Sequence, residues 1–259
     1  MTTCAFVEWP EGLEPRGLLW EALRQQVAAA RPDILVTNEM PFGPWLASER
    51  PFDADAAARG VTLHEHGLEA LRGLGVPAVI SSRPVWQSER LANEAFVLEA
   101  GDISVLHRKQ LFPEEPGWYE ASWFRGDNSG FAVHDIAGLK VGVLLCTELM
   151  FNEHARGYGR AGGDLIVVPR ATSTSQEKWA VAGAMGAIVS GCYVVSSNRS
   201  GASANSPRFG GRGLAFAPDG TLLADTSSDG TLAVVDLDAG VSQRQKSEYP
   251  CNVVERAYR

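Results

Sequence analysis

One cysteine, Cys146, stands where an apolar run ends, and its position favours a chemical role. The run starts at Val141 and reads VGVLLC, which is typical of a buried strand. Asn152 is a candidate N-cap for a helix that follows. A thiol at such a strand-to-helix turn lies near backbone N–H groups and the positive helix end, which favour a thiolate and an oxyanion. The pattern indicates a nucleophile, although a cysteine that ends a core strand is more often structural.

Three further charged residues follow apolar segments and supply groups that such a nucleophile needs. Glu39 follows the run ILVTN, and because strand ends gather at one edge of an α/β sheet, its carboxylate is a candidate partner for Cys146. Lys109 leaves another strand in the sequence HRKQLF. Glu120 lies among the aromatic residues of PGWYEASWF, where a buried carboxylate needs a partner such as a lysine. Taken singly, Glu39 and Lys109 also fit solvated surface charges.

The elements that must position these residues alternate between strands and helices. Runs rich in Val, Ile and Leu predict strands at Cys4–Glu8, Ile34–Thr37, Ala78–Ser81, Ala95–Glu99, Val141–Leu145, Leu165–Val168 and Tyr193–Ser196. Apolar residues at helical spacing predict helices at Gly17–Ala30, Gly60–Leu74, Asn152–Ala161 and Gln176–Ser190.

Strands and helices alternate in two blocks, one early in the chain and one from about residue 141 to 197. Paired strands lie between these blocks and after the second one. The turn at Gly101 and Asp102 predicts a hairpin, and Gly213–Asp238 repeats this style. The order of elements predicts a single α/β domain over residues 1–259, layered helix–sheet–sheet–helix with a mixed sheet. The polar segment Ser196–Arg208 predicts a flexible loop beside a site.

Composition excludes several classes of protein. Hydrophobic residues make up 45% of the 259 residues and charged residues 21%, which excludes a disordered or fibrous chain. A net charge of −8 without a cluster of Lys and Arg argues against nucleic acid or an anionic membrane as a partner. The first ten residues lack a secretory pattern, and no apolar run is long enough to span a bilayer. The four scattered cysteines predict no disulfide framework, so we expect a cytoplasmic protein.

Four sequence blocks together resemble the nitrilase superfamily of carbon–nitrogen hydrolases. Glu39 in VTNEMPFG, Lys109 in HRKQLFPEEPGWYEASWF and Cys146 in VGVLLCTELMFNEHAR are similar to the three catalytic blocks of that family, in the same order. Glu120 matches the family's second glutamate. The segments GGDLIVVPRAT and GRGLAFAPDGTLLADTS extend the resemblance over nearly the whole chain. The resemblance implies an αββα sandwich and a homodimer or higher homo-oligomer.

The resemblance also implies a mechanism. Glu39 acts as the base that takes the proton of Cys146, and the sulfur attacks the substrate carbon to form a thioester. Lys109 and the backbone N–H of Thr147 hold the oxyanion. Glu120 positions Lys109 together with the substrate nitrogen or water. No metal and no organic cofactor is needed.

Five residues are candidates for the oxyanion and substrate-binding part of the site. Besides its N–H, Thr147 replaces a tryptophan that many family members have after the cysteine, so the pocket wall differs there. Glu148 either shapes the turn or caps the helix. Arg170 ends a strand and binds a substrate carboxylate or, equally, forms an interface or surface ion pair. Trp118 and Trp179 line the pocket or belong to the core.

The substrate is less determined than the chemistry. The stretch FPEEPGWYE is closest in style to amidases and carbamoyl amidases such as those acting on N-carbamoylputrescine. True nitrilases continue from the cysteine with Trp-Glu, and N-carbamoyl-D-amino-acid enzymes with arginines, unlike this chain. We therefore expect cleavage of a small linear amide or N-carbamoyl amide, releasing ammonia or an amine. The alternatives are a nitrilase, an acyltransferase, a silent scaffold of the same fold, and a metal hydrolase built on Glu39, Glu120 and a histidine.

Overall fold

The computed structural model describes residues 1–254. The first half contains β1 (Thr2–Val7), α1 (Gly17–Ala30), β2 (Ile34–Val36), α2 (Ala54–Arg72), β3 (Ala78–Gln87), β4 (Arg90–Glu99), β5 (Asp102–Arg108), β6 (Glu114–Glu115), β7 (Trp118–Tyr119) and α3 (Glu120–Trp123). The second half contains β8 (His134–Ile136), β9 (Leu139–Val143), α4 (Asn152–Arg160), β10 (Leu165–Val168), α5 (Glu177–Ser190), β11 (Tyr193–Ser196), β12 (Ser200–Gly201), β13 (Phe209–Gly210), β14 (Leu214–Phe216), β15 (Leu222–Asp225), β16 (Leu232–Leu237) and α6 (Ala239–Gln245). Short 3₁₀ helices cover Leu46–Ser48 and Cys146–Met150.

Two six-stranded mixed sheets organise the molecule. The first has the order β16-β1-β2-β3-β4-β5, and the second has the order β15-β14-β11-β10-β9-β8. In each sheet the central strands are parallel, β1-β2-β3 and β9-β10-β11, and the outer pairs are antiparallel. The carboxyl ends of the central strands therefore gather at one edge of each sheet, where the candidate residues follow them.

Three apolar layers show how the sheets and helices stack. One face of each sheet contributes to a shared core, in which Phe6, Val36 and Ile80 belong to the same cluster as Val143 and Val167. Alternation of side chains along each strand turns the other residues outward. Those of the first sheet pack on α1 and α2, and those of the second sheet pack on α4 and α5. The predicted αββα sandwich is confirmed.

The predicted elements agree with the observed ones except at particular ends. The second helix begins at Ala54, six residues before the predicted Gly60, because Asp53 caps it by accepting the N–H groups of Asp55 and Ala56. A residue with a left-handed conformation, Ser88 at φ +56°, begins a tight turn that the sequence analysis missed, and it joins β3 to β4.

Two local predictions need correction. Asn152 is the first residue of α4 and not its N-cap; Phe151 takes that position and its side chain makes no cap hydrogen bond. Ser196–Arg208 was expected to be a flexible loop, but its first residues are buried, with Asn198 and Arg199 at most 1% exposed. Asn198 Oδ1 accepts the N–H of Thr172 at 3.0 Å, and Arg199 forms an ion pair with Glu11. Residues 196–199 therefore belong to the packed interior, whereas residues 201–205 are exposed, as a surface loop would be.

The longest helix, α2, has 19 residues and is amphipathic. Within residues 1–254 none of the helices combines the length and apolar character that crossing a membrane requires.

Candidate active site

Cys146 lies three residues after the end of β9 in the second sheet and has an unusual backbone conformation. Its φ is +51°, in the left-handed region that residues other than glycine seldom adopt. Its N–H donates to Pro169 O at 3.0 Å, and Sγ lies 3.9 Å from Ala171 O. Thr147 follows in the first turn of the 3₁₀ helix, where backbone N–H groups lack acceptors within the helix. The turn thus presents the thiol beside the N–H of Thr147, whereas the N–H groups of Cys146 and Glu148 donate to Pro169 O and Leu145 O.

Glu39 receives two hydrogen bonds on one of its oxygens. Lys109 Nζ and Asn93 Nδ2 both donate to Oε1, each at 2.8 Å. The other oxygen, Oε2, is buried and accepts no hydrogen bond from any group in residues 1–254. A carboxylate oxygen without a donor is free to accept a proton, so Oε2 is the basic atom of this residue.

Lys109 joins both carboxylates. Its ammonium donates to Glu120 Oε2 at 2.6 Å as well as to Glu39, and all three side chains are fully buried. An ammonium has three N–H donors, so one is left over. Lys109 N also donates to Asn93 O at 2.9 Å, which fixes the backbone of β5's end against β4. The third donor is available to a substrate oxygen.

The electrostatics of the site follow from burial. Burial would lower the pKa of Lys109, but the charges of Glu120 and Glu39 outweigh it and raise that pKa well above its ordinary value. Burial and the nearby Glu39 charge raise the pKa of Glu120 to about 7, against the opposing effect of Lys109. Lys109 is therefore a permanent cation, and Glu120 gains or loses its proton near neutral pH.

The electrostatic environment of Cys146 favours the thiol over the thiolate. Burial, with the negative charge of Glu39, raises the pKa of its thiol far above the ordinary value, and the charge of Lys109 does not compensate. Cys146 is a thiol at rest, so a base must take its proton during attack.

A cavity of about 200 Å³ opens above Cys146. Of the predicted pocket residues, Thr147, Trp118 and Trp179 line it. Further lining residues, which the sequence analysis did not single out, are Pro113, Glu115, Met150, Ala171, Thr172, Ser173, Ser175 and Lys178. The cavity is small and combines aromatic walls with hydroxyl groups.

A larger groove of about 950 Å³ lies elsewhere, between the Leu46–Ser48 turn and α2. Trp45, Phe52 and Trp123 line it, but Cys146 does not. Size alone would favour this groove as the site. The chemistry favours the smaller cavity, because only that one contains a nucleophile beside a buried ion cluster.

Arg170 was expected either to bind a substrate carboxylate or to form an interface or surface ion pair, and its side chain does not line the cavity. Its side chain is fully buried and donates to Ser196 Oγ at 2.5 Å, Arg212 O at 2.8 Å and Thr172 Oγ1 at 3.4 Å. Burial lowers its pKa to about 10, and none of the carboxylates in residues 1–254 pairs with it. Its guanidinium lies 5.1 Å from the centre of the Trp179 ring. Arg170 supports the cavity wall from behind.

Glu148 is also absent from the cavity lining. It is fully buried behind the turn and accepts hydrogen bonds from backbone N–H groups. Of the two expected roles, shaping the turn fits these contacts.

Asn93 is the residue of the cluster that the sequence analysis missed. It lies in β4, 54 positions from Glu39, and is fully buried. The available signal was the polar pair Asn93–Glu94 inside an otherwise apolar strand, since a buried amide needs partners. Glu94 pairs instead with Arg83 and Arg108, each at 2.9 Å.

Groups that could hold a metal ion were also sought among the described residues. In residues 1–254, three or more His, Cys, Asp or Glu side chains nowhere converge with metal-binding geometry.

Solved structures share this fold over almost the whole chain. The chain is similar to a carbon–nitrogen hydrolase from Helicobacter pylori G27, with a TM-score of 0.84 and 19% identity over 97% of this chain and 94% of that one. It is also similar to a mutant amidase from Nesterenkonia sp. AN1 that carries the acetamide moiety of fluoroacetamide at its active-site cysteine. There the TM-score is 0.77, with 20% identity over 94% of this chain and 92% of that one.

Sequence comparison places the chain in a family. An N-carbamoylputrescine amidase from Arabidopsis thaliana is 29% identical over 174 residues, which are 59% of this chain. The match spans 58% of that relative's own length. Residues 7–246 match the sequence profile of the carbon-nitrogen hydrolases. The chain therefore belongs to the carbon–nitrogen hydrolase family, the nitrilase superfamily, with amidases among its relatives.

Proposed function

We propose that this hydrolase cleaves a small linear amide or N-carbamoyl amide through a thioester on Cys146. The observation that carries the proposal is the buried cluster of Glu39, Lys109 and Glu120 beside a cysteine at positive φ. The names of the amidase relatives support amide cleavage. The small volume of the cavity supports a small substrate.

The first half-reaction forms the thioester. Glu39 Oε2 takes the proton of the Cys146 thiol as the sulfur attacks the carbonyl carbon of the substrate. The carbonyl oxygen becomes an oxyanion, which the third N–H of Lys109 and the N–H of Thr147 stabilise. When the tetrahedral intermediate collapses, protonated Glu39 gives its proton to the leaving nitrogen, and ammonia or an amine departs.

The second half-reaction releases the acid. Glu39 takes a proton from water, and the hydroxide adds to the thioester carbon. The same donors stabilise the second oxyanion. The carbon–sulfur bond then breaks, and Cys146 recovers a proton from Glu39. Glu120 holds Lys109 in place throughout through its 2.6 Å hydrogen bond.

A panel of amides, ureido compounds and nitriles, followed by ammonia release, tests the proposal. We expect turnover of an amide or ureido compound by the wild type and none by Cys146→Ala. Cys251→Ala is the matched control, because that thiol is half-buried against Ile188 O and lies outside the cavity. Intact mass during turnover should show the acyl group on the wild type and on Cys251→Ala, and not on Cys146→Ala.

Three results would contradict the proposal. One is that no amide or ureido compound releases ammonia, and another is that Cys146→Ala is as active as the wild type. Preferred transfer of the acyl group to added hydroxylamine, with negligible hydrolysis, would show an acyltransferase instead.

We also propose a cytoplasmic homodimer or higher homo-oligomer. Four free cysteines fit a reducing compartment. Val181 and Met185 on α5 are apolar and are 67% and 41% exposed, which fits a contact with a second copy of the chain. Light scattering of the wild type and of Val181→Glu tests this assembly. A wild-type monomer would contradict it.

A further inference from the structure

One buried carboxylate, Glu148, connects the two segments that carry Cys146 and Lys109. Its Oε2 accepts the N–H of Leu145 at 2.8 Å, and its Oε1 accepts the N–H of Gln110 at 2.7 Å. Leu145 directly precedes Cys146, and Gln110 directly follows Lys109. The two backbone segments come from different sheets, so this carboxylate sets the distance between them.

A third donor fixes the orientation of that carboxylate. His107 Nε2 lies 2.9 Å from Glu148 Oε2, and both side chains are at most 1% exposed. His107 Nδ1 has no hydrogen-bond partner in residues 1–254. The tautomer with its proton on Nε2 fits these contacts, because an unpaired acceptor is easier to bury than an unpaired N–H. The ring of Phe131, 4.8 Å away, packs against the imidazole.

The geometry also shows that Glu148 acts through other residues. Both of its carboxylate oxygens already have partners, in Leu145 N–H, Gln110 N–H and His107 Nε2, whereas Glu39 keeps one oxygen without a donor in residues 1–254. The groups it holds are one residue from the nucleophile and one residue from the oxyanion donor. Small displacements between those two are costly, since a misplacement of about 1 Å can lower a rate about 100-fold.

We propose that Glu148, oriented by His107, is a positioning residue that holds Cys146 and Lys109 at the separation the reaction needs. The inference rests on the proposed function. It assigns Glu148 a role in the transition state of acylation, beyond the stability of the turn.

Steady-state kinetics of Glu148→Gln test the inference. A glutamine keeps the shape but places an amide N–H₂ against one of the N–H donors, so one of the two segments loses its anchor. We expect kcat to fall by about 10- to 100-fold with KM within about twofold of the wild-type value. Glu8→Gln is the matched control, because Glu8 is a buried carboxylate that accepts the N–H of Arg212 at 2.7 Å and does not line the cavity. It should lose stability and keep kcat.

Two histidine variants give a second, independent test. His107→Leu removes the third donor and should lower kcat about tenfold. His107→Gln restores a donor and should recover most of the loss. If Glu148→Gln does not fold, these two variants decide the matter. The inference would be overturned if folded Glu148→Gln or His107→Leu kept full kcat. The proposed function would stay intact in that case, provided that the wild type turns over substrate and Cys146→Ala does not.

Discussion

Lys109 Nζ donates to Glu39 Oε1 at 2.8 Å, and Oε2 of the same carboxylate has no donor within residues 1–254. The two oxygens of Glu39 are therefore chemically different. One is committed to the cation, and the other can accept a proton. Because the fold raises the pKa of the Cys146 thiol, this free oxygen is the group on which our proposed mechanism depends.

Glu39→Gln should abolish most of the activity. The amide keeps a similar volume but cannot accept the thiol proton, and general-base catalysis contributes about 10²- to 10⁴-fold. We expect kcat/KM for the best substrate in the panel to fall by about that factor, with the melting temperature measured in parallel. Glu94→Gln serves as the control, since Glu94 pairs with Arg83 and Arg108 and with none of the catalytic groups. Comparable kcat/KM in Glu39→Gln and the wild type would remove Glu39 as the base.

Asn93→Ala should lower activity through Glu39. Without the 2.8 Å hydrogen bond from Nδ2, the carboxylate can rotate and offer either oxygen to Lys109. We expect kcat to fall about tenfold with little change in KM, because the lost hydrogen bond is one that orients the base. A large rise in KM at unchanged kcat would place Asn93 in substrate binding instead.

Activity should depend on pH through Glu120. Its pKa is raised to about 7 by burial and by Glu39, so it is protonated below that pH. Protonation removes the negative charge that holds Lys109 at 2.6 Å. We therefore expect kcat/KM to rise with pH between 6 and 8. Glu120→Gln should be less active and flat over this range, and the same rising limb in that variant would show that another group titrates.

The raised pKa of Glu120 also makes the free energy of unfolding depend on pH. The raised pKa means that the folded protein binds a proton more tightly than the unfolded chain does. Stability from Glu120 is therefore greatest in acid and falls as pH rises towards 7.

The sequence predicts those parts of the site that depend on strand ends. Glu39 and Cys146 each follow an apolar parallel strand, and parallel strands bring such positions to one edge of their sheet. Lys109 instead follows β5, which pairs antiparallel with β4. Their catalytic roles stay predictions that the kinetics above test. The layers of the sandwich could also be predicted from the sequence, because strand and helix periodicities alternate along the chain.

Contacts between residues on strands that are distant in the sequence could not be predicted from the sequence alone. Asn93 meets Glu39 only because β3 lies between β2 and β4 in the sheet. Glu148 and Arg170 were assigned to the substrate pocket from their nearness to Cys146 or a strand end. Their side chains point behind the cavity, since a turn changes side-chain direction within one or two residues.

A buried histidine outside the site, His64, should make the fold sensitive to acid. It lies in α2, its Nδ1 is 2.8 Å from Gly60 O, and its ring packs against Phe42. Burial, with smaller effects of Arg199 and Arg83, lowers its pKa to about 4, whereas the unfolded chain has a value near 6.5. The stability it contributes is present above pH 6.5 and is lost as pH falls through about 4.

Urea unfolding at pH 7 and pH 5 measures this contribution. Between these two pH values the wild type should lose roughly 2 kcal/mol more unfolding free energy than His64→Gln, because the glutamine binds no proton in either state. His66→Gln, an exposed position of the same helix, is the control and should behave as the wild type. An equal pH dependence in His64→Gln and the wild type would mean that the acid sensitivity of the fold comes from its carboxylates, since protonation of this imidazole would then cost the folded state nothing.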